Sequence, residues 1–144
     1  GLPIVSYNIL PRGLPLPDKW SRMNNTNSWG KYRHTTAVIK SDEGSNKVKF
    51  SANLPNDGAW DMDIYLPGEG IFSGRKWGKW QIIVSDSNGD QNKVEFDSSA
   101  GIEGWNMVDK LDLPKGKVTV EISDKTDGDF VIADSIRWTP SAGN

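Results

Sequence analysis

The feature that most restricts the fold of this chain is an alternation of apolar and polar side chains with period two, repeated in short runs between turn residues. Val48, Phe50 and Ala52 alternate with Lys47, Lys49 and Ser51. Trp60, Met62, Ile64 and Leu66 alternate with Asp61, Asp63 and Tyr65, and Val118, Val120 and Ile122 with Lys117, Thr119 and Glu121. Successive side chains of a strand point to opposite faces, so each run reads as a strand with one face in a core and one in water. The stretches "PNDG", "SNGD" and "TDGD" between runs place glycine after Asn or Asp, the pairing that suits tight hairpin turns. Apolar spacing of helical period persists nowhere for ten residues. The pattern predicts an all-β chain of about eight strands, near 35–40, 47–53, 60–66, 79–85, 92–97, 105–113, 117–123 and 129–138. An antiparallel two-sheet β-sandwich, jelly-roll-like, follows.

Ahead of these runs the chain changes character. Four of its eight prolines fall within "LPIVSYNILPRGLPLP", where fixed φ angles and missing donors favour irregular extended backbone. Residues 1–31 read as a Pro-rich arm or linker packed on the domain or leading into it, 32–140 as the sandwich and 141–144 as a tail. Residues 1–34 carry Arg12, Lys19, Arg22, Lys31 and Arg33 against Asp18, whereas the whole chain has a net charge of −2. The start at Gly1 suggests a processed chain or a fragment of a longer one. A single domain of 144 residues buries a sufficient core without disulfides, and there is no cysteine.

Several chemistries are excluded or disfavoured by the residues present. A slightly acidic chain gives no reason to expect nucleic acid, and no apolar run of about 18 residues is present to insert in a membrane. His34 is the single histidine, with no nucleophile elbow around it, and one imidazole without thiolates does not fill a zinc site. "DSNGD" spaces Asp86, Asn88 and Asp90 like an EF-hand loop, yet Gln91 and Asp97 stand where that loop needs Gly and Glu, so a hairpin turn is expected. No metal, cofactor or catalytic residue is implied. Asp61 and Asp63, on the polar side of their run, read as solubilising charges.

The aromatic residues say more. Trp60, Trp80 and Trp138 fall in phase with apolar neighbours and are expected in the core, while Trp20 and Trp105 fit either setting. Trp29 and Trp77 lie in polar or glycine-rich segments, with Phe72 in the same loop as Trp77. An indole face stacks on the apolar side of a sugar ring, and nearby polar groups bond its hydroxyls. Trp77, Trp29, Phe72 and Arg75 are therefore candidate glycan-binding residues. The competing reading has the same rings covering a sandwich edge or meeting a neighbouring domain.

The segments "YRHTT" at 32–36, "GAWDMDIYLP" at 58–67, "WQIIVSDSNGDQNKVEFD" at 80–97 and "GWNMVDKLDLPKGKVTVEISDKTDGDFVIADSIRW" at 104–138 appear in an order that resembles the golvesin and xanthan-lyase C-terminal domain family. The likeness is densest over Trp105, Gly116, Val118, Val120, Ser123, Asp127, Gly128, Ala133, Asp134 and Arg137. Ser135-Ile136 and Asp109 depart from the family pattern. The resemblance implies a noncatalytic, carbohydrate-binding-like accessory module. Its setting would be a secreted, periplasmic or cell-surface bacterial protein, with a glycan or the parent's other domains as partners. The same motif frames a physical question. Were 129–138 one strand, Asp134 would share a face with Phe130, Ile132, Ile136 and Trp138, so its carboxylate needs a partner, a bulge or a role in a site. A pairing with Arg33 or with local amides answers that need, making Asp134, Arg33 and Trp105 candidate structural residues.

Overall fold

The computed structural model describes residues 3–7, 20–24, 35–40, 43–67 and 74–141. The described residues contain eleven strands, all paired antiparallel, and no α-helix. In chain order these are β1 (Ile4–Tyr7), β2 (Ser21–Asn24), β3 (Thr35–Lys40), β4 (Lys47–Leu54), β5 (Gly58–Leu66) and β6 (Lys79–Ser85). After them come β7 (Gln91–Asp97), β8 (Gly104–Leu113), β9 (Gly116–Thr126), β10 (Phe130–Ala133) and β11 (Ser135–Pro140). Two four-stranded sheets, β1-β11-β5-β8 and β4-β9-β6-β7, supply most of the core, and a three-stranded sheet, β10-β3-β2, completes the fold.

Period-two patterning delivers the core as expected. Val48 and Phe50 of β4, Val118, Val120 and Ile122 of β9, and Trp80, Ile82 and Val84 of β6 are buried on one sheet. Trp60, Met62 and Ile64 of β5 and Ile136 and Trp138 of β11 are buried on the other. Each such side chain contributes about 1.5–3 kcal/mol through burial. Trp20 is buried too, which settles the setting that its sequence neighbours left open.

Three features differ from a simple reading of the runs. Residues 4–7 and 21–24, within the Pro-rich segment, add strands: β1 pairs with β11 and β2 with β3. The run 129–138 is two strands rather than one, because the chain passes at Asp134 from β10, paired with β3, to β11, which lies between β1 and β5. Lastly, β8 changes register against β5 between Met62 and Asp63, so that Asp109 faces Met62 and Met107 faces Asp63. The extra residue, Val108, packs against the core, and the bulge lets Trp105 and Met107 lie outside while Leu111 and Leu113 lie inside.

The outer side of β5 is correspondingly less wet than alternation implies. Asp63 is only 7% exposed and accepts from Arg137 Nη2 at 2.8 Å and Nε at 2.9 Å, because β5 and β11 place the two residues directly opposite one another. Asp63 is thus an ion-pair partner and not a solubilising charge. Arg137 also lies 4.5 Å from the centre of the Trp105 ring, and Trp105 meets Tyr65 edge-on at 5.1 Å. Asp134, 2% exposed, accepts from Ser135 Oγ at 3.1 Å.

Candidate functional site

At one end of the sandwich a cleft of about 540 Å³ opens between four short stretches. These are the end of β5 (Leu66, Pro67), the segment before β6 (Trp77), a 3₁₀ turn at Ser98–Ala100, and the loop that leads into β8 (Gly101, Ile102, Glu103).

Trp77 forms part of the wall, and the sequence around it dictates its position. Its indole is half-buried, 4.9 Å from the ring of Phe130 and 6.2 Å from that of Trp80. On one side the "TDGD" turn grips the backbone: Asp127 Oδ1 accepts from Lys79 N–H at 2.7 Å, Asp129 Oδ2 accepts from Lys76 N–H at 2.8 Å, and Asp129 N–H donates to Lys76 O at 2.9 Å. On the other side the buried Ser98 exchanges bonds with Gly78, accepting from its N–H at 3.1 Å and donating through Oγ to its carbonyl at 2.5 Å. Gly78 and Gly128 touch backbone to backbone. A methyl on Gly128 would come to 2.8 Å from Gly78 N and Lys76 O, and one on Gly78 would strike Asp127 and the Gly128 backbone. The backbone bond from Lys79, foremost, holds the Asp127 carboxyl below its ordinary range, with Lys76 and Lys79 acting in the same direction.

The opposite rim is also fixed in place. Asn106 Oδ1 accepts from Ile102 N–H at 2.8 Å, and its Nδ2 donates to Ile102 O at 2.8 Å and Gly104 O at 3.0 Å. This side chain closes a loop whose tip presents Ile102, 68% exposed, beside Glu103. Gly104 turns the chain at φ +100°. Next to Leu66 in the chain, the Tyr65 phenol is pushed above its usual range by burial first, then by the charges of Asp134 and Glu103.

Of the glycan-binding residues expected from sequence, Trp77 lines the cleft and Arg75 is exposed two residues before it. Trp29, Phe72 and Arg33 lie outside the described residues. Sequence reading missed Ile102, Glu103 and Ser99. The available signal was "GIEG", an isoleucine displayed between two glycines immediately before a strand. The described lining offers one indole, apolar rim residues, a serine hydroxyl and a carboxylate, a set suited to holding a polar ligand with apolar faces. Among the described residues no three His, Cys, Asp or Glu side chains converge as a metal site would require.

Comparison with known proteins places this geometry in a family. Residues 16–140 match the family model described as the Golvesin C-terminal domain. A Paenibacillus xanthan lyase superposes with a TM-score of 0.72 at 18% identity, over 96% of this chain and 13% of its own, so the matching region is one part of a far longer protein. The CBM35 from Cellvibrio japonicus Abf62 gives a TM-score of 0.57 at 14% identity, covering 99% of both chains. An Xyl-CBM35 in complex with a glucuronic acid containing disaccharide gives 0.51 at 14% identity, over 94% of this chain and 96% of its own. At these identities the likeness is one of fold. No curated protein matches the sequence.

Proposed function

Because this chain belongs to the golvesin C-terminal domain family, we propose that it is a noncatalytic, glycan-binding accessory module. Its setting would be a secreted or surface bacterial protein, with the cleft at Trp77 as its binding site. Trp77 supplies the stacking face, Ile102 and Leu66 the apolar rim, and Ser99 and Glu103 groups that bond sugar hydroxyls. Trp29, Phe72 and Arg75 belong to the same proposal as further ring and charge contacts. The observation that carries the reading is the clamping of Trp77 by two turns: an aromatic platform fixed before the ligand arrives loses little conformational freedom on binding. The sandwich fold shared with carbohydrate-binding modules supports it.

Titration calorimetry and affinity electrophoresis against a panel of neutral and acidic polysaccharides test this reading. W77A is expected to weaken binding at least tenfold, and I102D, at an exposed position, severalfold without a change in melting temperature. Absence of binding across the panel, or binding indifferent to both substitutions, would refute it.

The second reading has the module dock on the catalytic domain of its parent without binding sugar. The outer face of β8 favours it, where Met107 is 58% exposed next to the half-buried Trp105. A Met107→Asp variant that alters association with the parent's other domains, but not glycan binding, would support that alternative.

A further inference from the structure

The turns "PNDG", "SNGD" and "TDGD" each set Asn or Asp before glycine. Beyond its conformational use, that pairing is reactive: glycine has no Cβ to obstruct approach, so its amide nitrogen can attack the side-chain carbonyl carbon of the residue before it. The fold treats the three pairs differently. Asp57 Oδ1 accepts from Lys115 N–H at 2.6 Å, and Asp127 Oδ1 accepts from Lys79 N–H at 2.7 Å. Gly128 is buried against the Gly78 backbone, and its own N–H donates to Thr126 Oγ1 at 3.1 Å. An acid side chain in its ionised form is also a poorer electrophile than a carboxamide. Asn88 supplies the carboxamide of the set. It is exposed, its side chain makes no hydrogen bond among the described residues, and a Cβ on Gly89 would meet no atom within 4 Å.

What restrains Asn88 is the backbone around it. Gly89 N–H donates to Asp86 O at 3.0 Å, and Asp86 N–H to Asp90 O at 2.9 Å. Asp86 Oδ1 accepts from Asn88 N–H at 2.8 Å and from Asp90 N–H at 3.1 Å. The nitrogen that would attack is therefore committed while the turn is closed, and the Asp86 carboxylate holds it closed. Opening need involve only the hairpin tip, because β6 and β7 stay paired from Ser85 and Gln91 to Lys79 and Asp97.

We propose that Asn88 is a site of spontaneous covalent modification, deamidating through the amide of Gly89 at a rate set by Asp86. As the turn opens, Gly89 N bonds to Asn88 Cγ, the Cγ–Nδ2 bond breaks, and ammonia leaves with the proton of the Gly89 amide, so that a succinimide remains. Water then adds to the ring. Cleavage between Cγ and N gives aspartate, whereas cleavage between the main-chain carbonyl carbon and N gives isoaspartate, whose main chain runs through Cβ and Cγ. Either product puts a carboxylate between Asp86 and Asp90, and isoaspartate also lengthens the turn and displaces N–H groups that Asp86 caps. The cleft is spared, since the seven residues of β6 run from its side of the sandwich at Lys79 to the turn after Ser85, about 20 Å at the usual strand rise.

The test is incubation of the chain at neutral and mildly alkaline pH, followed by peptide mapping with mass spectrometry and enzymatic detection of isoaspartate. The proteins are the wild type, N88Q, D86A and D86S. The mass gain of amide-to-acid conversion, with isoaspartate, is expected first in the peptide that holds Asn88, faster at the higher pH, and absent from that peptide in N88Q. D86A is expected to convert at least threefold faster than the wild type with unchanged circular dichroism, and D86S, which keeps an acceptor for the turn, to fall between them. An unconverted Asn88, isoaspartate at Asp57 or Asp127 ahead of it, or Asp86 variants no faster than the wild type would overturn the proposal.

Discussion

At the residue scale, the carboxylates of this protein are set apart by what surrounds them. Asp63 and Arg137 form a partly buried pair roofed by Trp105. Asp63→Ala leaves a half-buried guanidinium without its partner, and chemical denaturation is expected to show a loss of about 1–3 kcal/mol, between the values for exposed and buried pairs. Asp134 is more deeply placed, and its proposed pairing with Arg33 gives a second expectation. Asp134→Ala and Arg33→Ala are each expected to cost about 3 kcal/mol in chemical denaturation, and a double variant no more than either alone. Asp127 makes stability depend on pH. Its folded-state pKa lies below the unfolded value of about 3.9, so the unfolded chain takes up the proton first as pH falls. The contribution is complete above that unfolded value and is lost as pH falls through the depressed folded one. Acid denaturation of D127N should therefore show a shallower decline than that of the wild type below about pH 4. Tyr65 has the opposite sense: its folded-state pKa is raised, so its contribution to stability is lost as pH rises past about 10, and alkaline denaturation of Y65F beside the wild type should show a shallower decline there.

At the element scale, the turns that hold Trp77 leave no room for a side chain. G128A would press a methyl to 2.8 Å from backbone atoms of Lys76 and Gly78, which cannot swing aside as a flexible side chain could. We expect a loss of about 1–3 kcal/mol, as for overpacking, together with a changed Trp77 emission spectrum. The long strands were legible because each has one face in the core and one in water: β4, β6 and β7 run within a residue of their expected limits. Short strands were less so. Four residues among prolines carry too little alternation to identify β1 or β2, and the break at Asp134 depends on which neighbours β10 and β11 pair with, a tertiary property. The wet face assigned to Asp63 failed for the same reason, since its partner lies on a strand more than seventy residues away. The cleft was half legible: Trp77 stood out by composition, whereas Ile102 and Glu103 reach it only because the 3₁₀ turn at Ser98 docks on Gly78.

At the scale of the whole molecule, the sheets are closed by their edges. β1 covers one side of β11, and its removal would leave the backbone groups on that side without partners while β5 still pairs with the other. Deletion of residues 1–7 is expected to lower the melting temperature and promote self-association, visible by size-exclusion chromatography. The back-to-back contact of Gly78 and Gly128 has a wider bearing. Two loops some fifty residues apart share one steric allowance, so neither can be redesigned alone, and a graft of the tryptophan-bearing loop onto another sandwich would have to carry the 126–130 corner with it.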